Sequence, residues 1–267
     1  MRILINYLYQ YYPFTTASYI EMALEKNPKL LPFRVGQDRV PCADLIINIE
    51  PCGKIISYPT IPSCYWEIDN HIHLGMDVDK YEAVNKIYVS QKYFMPLYPA
   101  EKTSWLPLAC DPEKHRLYED EKIEYEVGFL GNDTYPERKE LLDRIGKKYK
   151  LLLSNSKPGE EYSRKLSRCK ILFNRSMDND LNMRVFEAIS IGRLLLTDKV
   201  DGIDDIFKDG EHYIRYKDWQ DLDKKIDYYL NHEKEREKIA KTGSEYIHAT
   251  QTYEHRLYKI LESFGFY

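Results

Sequence analysis

Short β-branched or aliphatic runs alternate with longer segments of helical period along most of the chain. In the first half the runs fall at residues 2–8, 31–35, 44–49, 63–66, 86–90 and 103–106. Near-continuous apolarity over so few residues predicts strands buried on both faces, as in a parallel sheet covered by its crossover helices. Residues 15–26 bring Ala17, Ile20, Met22 and Leu24 roughly to one side and predict a helix. The second half restarts the alternation, with strands at 125–130, 149–153, 170–174 and 194–197 and helices at 136–148, 160–168 and 182–191. Gly192 stands where a helix commonly ends on glycine. Asp218 is placed to cap a helix with Leu222, Ile226 and Leu230 on one face, and Tyr253, Leu257, Ile260, Leu261 and Phe264 stripe a final helix. Between the halves, residues 111–122 (DPEKHRLYEDEK) are charged and almost free of aliphatic side chains, and read as a linker. The expected architecture is α/β: two Rossmann-like, doubly wound domains over residues 1–122 and 123–250, followed by a helical segment 251–267.

Composition narrows the class without naming a function. The 267 residues leave room for two compact domains, and 43 % hydrophobic with 31 % charged residues excludes a disordered or fibrous chain. A net charge of -4 argues against a general nucleic-acid surface while leaving room for a local basic pocket. No apolar run reaches the roughly 18–20 residues of a membrane span. The first residues enter a strand-like run with no charged leader, so a cytoplasmic location is expected. The five cysteines form no C-x-x-C pair and read as buried free thiols. The 24 tyrosines could line a sugar or base site or simply pack cores, and decide nothing alone.

In open parallel sheets ligands bind beyond the carboxyl ends of the strands. Four polar clusters follow such ends: Glu67, Asp69, His71 and His73; Gly131, Asn132, Asp133 and Arg138; Arg175, Asp178, Asn182, Arg184 and Glu187; and Asp198, Asp201 and Gly202. Together they could line one crevice between two domains. Arg184 and Glu187 share a helix face near its start, where an arginine beside the free N–H groups suits a phosphate. A carboxylate one turn on suits a pair of hydroxyls such as a ribose diol, so the pair suggests a nucleotide; a surface salt bridge is the alternative. Gly131 at a strand end resembles a phosphate-approach turn, although a single glycine makes neither a dinucleotide fingerprint nor a P-loop. Arg138 and Lys139 open a helix, where cations are unfavourable unless an anion is near; solvated surface charge is the other reading. His71 and His73 have a spacing that metal ligands use, but no further ligand set accompanies them and no metal is expected. With Asp69 beside it, His71 could act as a base or hydrogen-bond a sugar. The three D-x-D strings (77/79, 178/180 and 221/223) are few enough to arise by chance in so acidic a chain.

The string NMRVFEAISIGRLLLTDKVDGIDDIFKDGEHYIRY (182–216) and its continuation at 228–256 resemble the C-terminal half of the group 1 glycosyltransferase superfamily, particularly its spore-maturation glycosyltransferase-like branch. CYWEIDNHIH (64–73), KTSWLPLACDP (102–112) and EVGFLGNDTYPERKELL (126–142) look similar to that branch too. The resemblance implies the GT-B fold, with an acceptor-side domain, a nucleotide-sugar donor domain and a C-terminal helix crossing back to the first. It implies metal-independent and retaining transfer of a sugar from a nucleotide sugar to an unidentified glycan, protein or small-molecule acceptor, with no cofactor. By that resemblance Glu187 holds the ribose hydroxyls, and Arg138, Lys139, Arg184, Asn182 and Gly131 form the donor site. Asp69 and His71 would face the transferred sugar. The family's first glutamate falls at Asn179 in this chain. A nucleotide-sugar epimerase of the same fold and a non-catalytic binding or coat protein are the alternatives.

Overall fold

The computed structural model of the chain describes residues 1–7, 14–33, 42–52, 54–69, 79–155 and 159–266. Its strands are β1 (Arg2–Asn6), β2 (Leu31–Phe33), β3 (Leu45–Ile49), β4 (Ser63–Glu67), β5 (Lys86–Val89), β6 (Thr103–Trp105), β7 (Tyr125–Leu130), β8 (Leu151–Ser154), β9 (Cys169–Phe173), β10 (Leu194–Thr197) and β11 (Ile214–Arg215). The α-helices are α1 (Thr16–Glu25), α2 (Asp79–Glu82), α3 (Pro136–Lys148), α4 (Glu160–Ser167), α5 (Met183–Ile191), α6 (Ile203–Ile206), α7 (Trp219–Asn231), α8 (Glu233–Thr250) and α9 (Tyr253–Ser263). Two compact units result, Met1–Leu108 with Tyr253–Tyr267, and Ala109–Thr252. None of the described helices is long and apolar enough to cross a membrane.

The first unit holds a six-stranded sheet in the order β2-β1-β3-β4-β5-β6, with every pairing parallel. β3 and β4 are buried at every position, which is why neither shows an alternating polar face; their polar residues Asn48, Ser63 and Glu67 are buried with the apolar ones. Thr15 and Ser18 form a reciprocal capping box that starts α1. The final helix belongs to this unit. Tyr253 stacks on Tyr19 with ring centroids 4.9 Å apart, and the buried Arg256 donates through Nε to Pro107 O (2.7 Å) and through Nη2 to Leu108 O (3.1 Å).

The second unit has a five-stranded parallel sheet, β11-β10-β9-β7-β8. Val127, Phe129, Ile171, Phe173, Leu194 and Leu196 from its strands pack with Leu142 and Ile145 of α3 and Leu222 and Ile226 of α7. Gly192 ends α5 in the left-handed region (φ 77°), with its N–H on Ile189 O. The strand expected from residue 149 begins two residues later, because the N–H of Tyr149 still closes α3 on Ile145 O. The short elements α2, α6 and β11 carry no periodic run that would announce them.

Residues 111–122 are no linker. Asp111 Oδ1 accepts from the N–H of Glu113 (2.8 Å) and Lys114 (3.1 Å), His115 is fully buried, and Tyr118 N–H donates to Ser167 Oγ (3.0 Å). Ser163 Oγ donates to Lys114 O (2.7 Å). The stretch is polar because it packs through hydrogen bonds instead of aliphatic contact, and the change of unit falls at Leu108, not at residue 122.

Two carboxyl groups are buried where β3 and β4 end in the first unit. Glu50 Oε2 accepts from the N–H of Ile68 and Asp69, each at 2.8 Å, and Glu67 Oε2 accepts from the Tyr81 hydroxyl at 2.9 Å. Burial first, and then the charge of Glu50, hold the Glu67 carboxyl well above the usual carboxylate range. The unfolded chain therefore loses this proton at lower pH than the folded one, so the contribution of this group to stability is greatest in acid and is lost as pH rises through neutrality. Glu67→Gln keeps the acceptor for Tyr81 and cannot ionise. Urea unfolding at mildly acidic and mildly alkaline pH is expected to show a smaller decline in this variant than in the wild type; equal declines would exclude Glu67 as the source.

Candidate functional site

The second unit places β8 on one side of β7 and then β9 on the other, so the connections diverge at the carboxyl ends of β7 and β9. Such a divergence opens a crevice in doubly wound sheets. A cavity of about 550 Å³ lies there, lined by Tyr135, Arg138, Arg175, Asn179, Asp198 and Lys199 among others.

Two arginines converge on the ends of β7 and β9 from different helices; Arg138 lines the cavity, and Arg184 is not among its lining residues. Arg184, in the first turn of α5, donates through Nε to Leu130 O (2.9 Å) and through Nη1 to Asn174 Oδ1 (3.0 Å). Arg138, in the first turn of α3, donates through Nη1 to Asn132 O (2.7 Å), and through Nε (3.0 Å) and Nη2 (2.7 Å) to Arg175 O. Each therefore ties the end of β7 to the end of β9. The buried Phe129 ring lies under both guanidinium groups, at 4.6 Å from Arg184 and 5.6 Å from Arg138. Among the described residues neither arginine pairs with a carboxylate. Burial, followed by the charge of Arg184, pushes Arg138 down to about 10, which leaves it protonated at neutral pH. Arg175 differs, being neutralised by Asp198 (2.8 Å) and Glu137 (2.5 Å).

Gly131 makes this packing possible. Its φ is +146°, and a Cβ there would sit 2.2 Å from Arg184 Nη2. The glycine that resembled a phosphate turn is required first by the arginine against it. Asn182 caps no N–H of α5 with its side chain, which leans towards Ser176 Oγ at 3.5 Å, and the first turn carries no acidic residue. An anion there meets a helix start whose first turn carries no carboxylate of its own.

One turn further, Glu187 is buried with Oε1 3.5 Å from Nε2 of the fully buried His115. The Tyr162 hydroxyl is buried near Glu187 and Arg184, and burial holds it as the neutral phenol. In the loop after β9, Asp178 and Asn179 adopt left-handed backbone (φ 43° and 62°), and Asn179 Oδ1 accepts from Asp201 N–H at 2.7 Å. That bond joins the loops following β9 and β10 at the cavity wall.

The expected residues Gly131, Arg138, Asn182, Arg184 and Glu187 thus gather around the ends of β7 and β9. Lys139 does not join them: it points outward from α3 and pairs with Asp143 at 3.4 Å, with 59 % of its side chain exposed. Asp69 follows β4 in the first unit, its N–H on Glu50. His71 and His73 lie outside the described residues. Among the described residues no group of three or more His, Cys, Asp or Glu side chains is placed to hold a metal ion. Sequence reasoning missed Asn174, Tyr162 and His115. The last sat in the presumed linker, with Leu117 and Tyr118 as the only apolar signal that the segment packs.

The family model for glycosyl transferase-like proteins matches residues 118–262, more than half of the chain. The chain belongs to this family. The match supports the group 1 superfamily and singles out no branch of it. Comparison with curated proteins finds no match in sequence. Among solved structures, Anabaena HepE in complex with UDP and glucose is 10 % identical, with a TM-score of 0.66 over 99 % of each chain. An α-glucosyltransferase in complex with UDP-glucose and DNA containing an abasic site is 9 % identical, with a TM-score of 0.70 over 99 % of this chain and 98 % of the other. TarM is 13 % identical, with a TM-score of 0.62 over 82 % of this chain; the match spans only 54 % of TarM's own length. Likeness at such identities establishes the fold, which is GT-B.

In this glycosyl transferase-like chain, Gly131→Ala is expected to cost about 1–3 kcal/mol, because the backbone is strained for an L-residue and Arg184 must move. Urea denaturation measures the loss. A neutral substitution would show that Arg184 is not confined by Gly131.

Proposed function

We propose that the protein transfers a sugar from a nucleotide-sugar donor to an acceptor hydroxyl, with the donor diphosphate received by Arg138 and Arg184. The single observation that carries this reading is the pair of neighbouring guanidinium groups, fixed on one aromatic ring and paired with no carboxylate among the described residues. Two like charges held together in a half-buried site repel one another, and a bound dianion would relieve that cost. Their bonds to backbone carbonyls and Asn174 fix their orientation before any ligand arrives, so little rearrangement is needed when charge develops. In glycosyl transfer the bond between the anomeric carbon and the phosphate oxygen breaks, and the electron pair leaves with the diphosphate. Two arginines and the start of α5 would stabilise that leaving group in the role a divalent cation plays elsewhere, which is the basis for a metal-independent reaction.

Glu187 is assigned to the ribose diol, one turn along the same helix from Arg184. Asn179, on the cavity wall, is assigned to the donor sugar. The assignment of Asp69 and His71 to the transferred sugar, and retention of configuration, rest on the family resemblance. HepE and the α-glucosyltransferase were solved with UDP or UDP-glucose, which makes uridine diphosphate sugars the first donors to try.

Turnover of a panel of nucleotide sugars, with and without EDTA, tests the proposal. Arg184→Gln is expected to lower donor turnover about 10²–10³-fold, as removal of one preorganised donor to a developing anion does, with EDTA leaving the wild type unchanged. Undiminished turnover in the variant would overturn the role of the arginine pair. Loss of wild-type activity in EDTA would overturn metal independence.

A further inference from the structure

We infer that His115 is a positioning residue of the nucleotide site: its imidazole aims the Glu187 carboxylate at a vicinal diol. The inference rests on the assignment of Glu187 to ribose and adds a residue that no part of that assignment includes.

The geometry fixes what the ring can do. Asp111 N–H donates to His115 Nδ1 at 3.1 Å, and a backbone N–H can only donate, so Nδ1 is the unprotonated nitrogen. The ring proton of the neutral imidazole then lies on Nε2, which faces Glu187 Oε1 at 3.5 Å. Burial lowers the ring's pKa and keeps it neutral, so it offers Glu187 a directional donor without a second buried charge. Contacts in catalytic sites are commonly long before the ligand binds and tighten in the complex.

The segment carrying the ring is fastened to the helix carrying the carboxylate. Ser190, one turn beyond Glu187 on α5, donates its hydroxyl proton to His115 O at 2.5 Å. The turn at Asp111 is closed by the N–H groups of Glu113 and Lys114 on Oδ1. Imidazole and carboxylate are thus held in one frame. A hydrogen bond from His115 to Oε1 narrows the rotation of the carboxylate, so that it is held closer to the orientation in which two adjacent hydroxyls can donate to it.

Titration calorimetry with three probes separates positioning from simple structural support: UDP, 2′,3′-dideoxyuridine diphosphate and inorganic pyrophosphate. His115→Asn retains an acceptor for Asp111 N–H and loses the donor to Glu187, whereas His115→Gln extends an amide donor to the Nε2 position. His115→Asn is expected to weaken UDP about tenfold and to leave the dideoxy analogue and pyrophosphate unchanged, with much of the loss restored in His115→Gln. Equal weakening of all three probes would overturn the inference in favour of a purely structural histidine. Unchanged UDP affinity in His115→Asn, with Glu187→Ala still selectively weakening UDP, would overturn it while sparing the ribose assignment. A Glu187→Ala protein that binds all three probes like the wild type would overturn both.

Discussion

The second unit turns on the contact of two guanidinium groups with one aromatic ring. Phe129 is the penultimate residue of β7, buried in the sheet, and its π face gives both arginines a favourable surface. The backbone carbonyls at the ends of β7 and β9 give them hydrogen-bond acceptors that carry no charge. Positive charge is thereby concentrated with no carboxylate in direct contact among the described residues, although Asp180 and Asp198 lie close enough to Arg138 to act on it. An arginine that ended on a carboxylate, as Arg175 does with Asp198, would contribute nothing net to an anion. Much else around the site follows from keeping the other two free of such partners: a glycine at 131, an asparagine at 174 in place of an acid, and no acidic residue in the first turn of α5.

Sheet order makes this concentration possible. Because β8 and β9 flank β7 on opposite sides, the loops after β7 and β9 part company and leave their strand ends uncovered. The helices that follow those loops, α3 and α5, both start at the gap, and each sends an arginine from its first turn across it. A helix start ordinarily disfavours a cation. That local cost is understandable where a bound anion restores the balance, and it agrees with the conflict between local propensity and fold that functional sites often show.

Much of this was readable from the sequence, and the exceptions share a cause. Apart from β11, the strands of both sheets are short, largely apolar runs and could be placed close to their observed bounds. Arg184 and Glu187 were legible because three residues on a helix make one face, and Gly131 because it ends a strand. Lys139 turns outward where Arg138 turns inward: adjacent residues on a helix point about 100° apart, and nothing in the pair itself shows which one faces the strand ends. The segment 111–122 was misread because its burial depends on hydrogen bonds to Ser163, Ser167 and Ser190, which lie far along the chain. Apolar periodicity announces burial by hydrophobic contact; it is silent about burial by polar satisfaction. The same silence hid the burial of Glu50 and Glu67, whose carboxyls close the ends of β3 and β4.

The proposed function stands on Arg138 and Arg184 as a preorganised receptor for a diphosphate. Its most direct test is the affinity of the wild-type protein for UDP set against that for uridine, at low and at high salt. Each charge-assisted hydrogen bond contributes about 1.5–3 kcal/mol, so UDP is expected to bind at least about a hundredfold more tightly than uridine, with the gap narrowing as salt rises. Equal affinities for nucleoside and nucleoside diphosphate would rule out such a receptor, because the two arginines would then be structural members of the sheet end and nothing more.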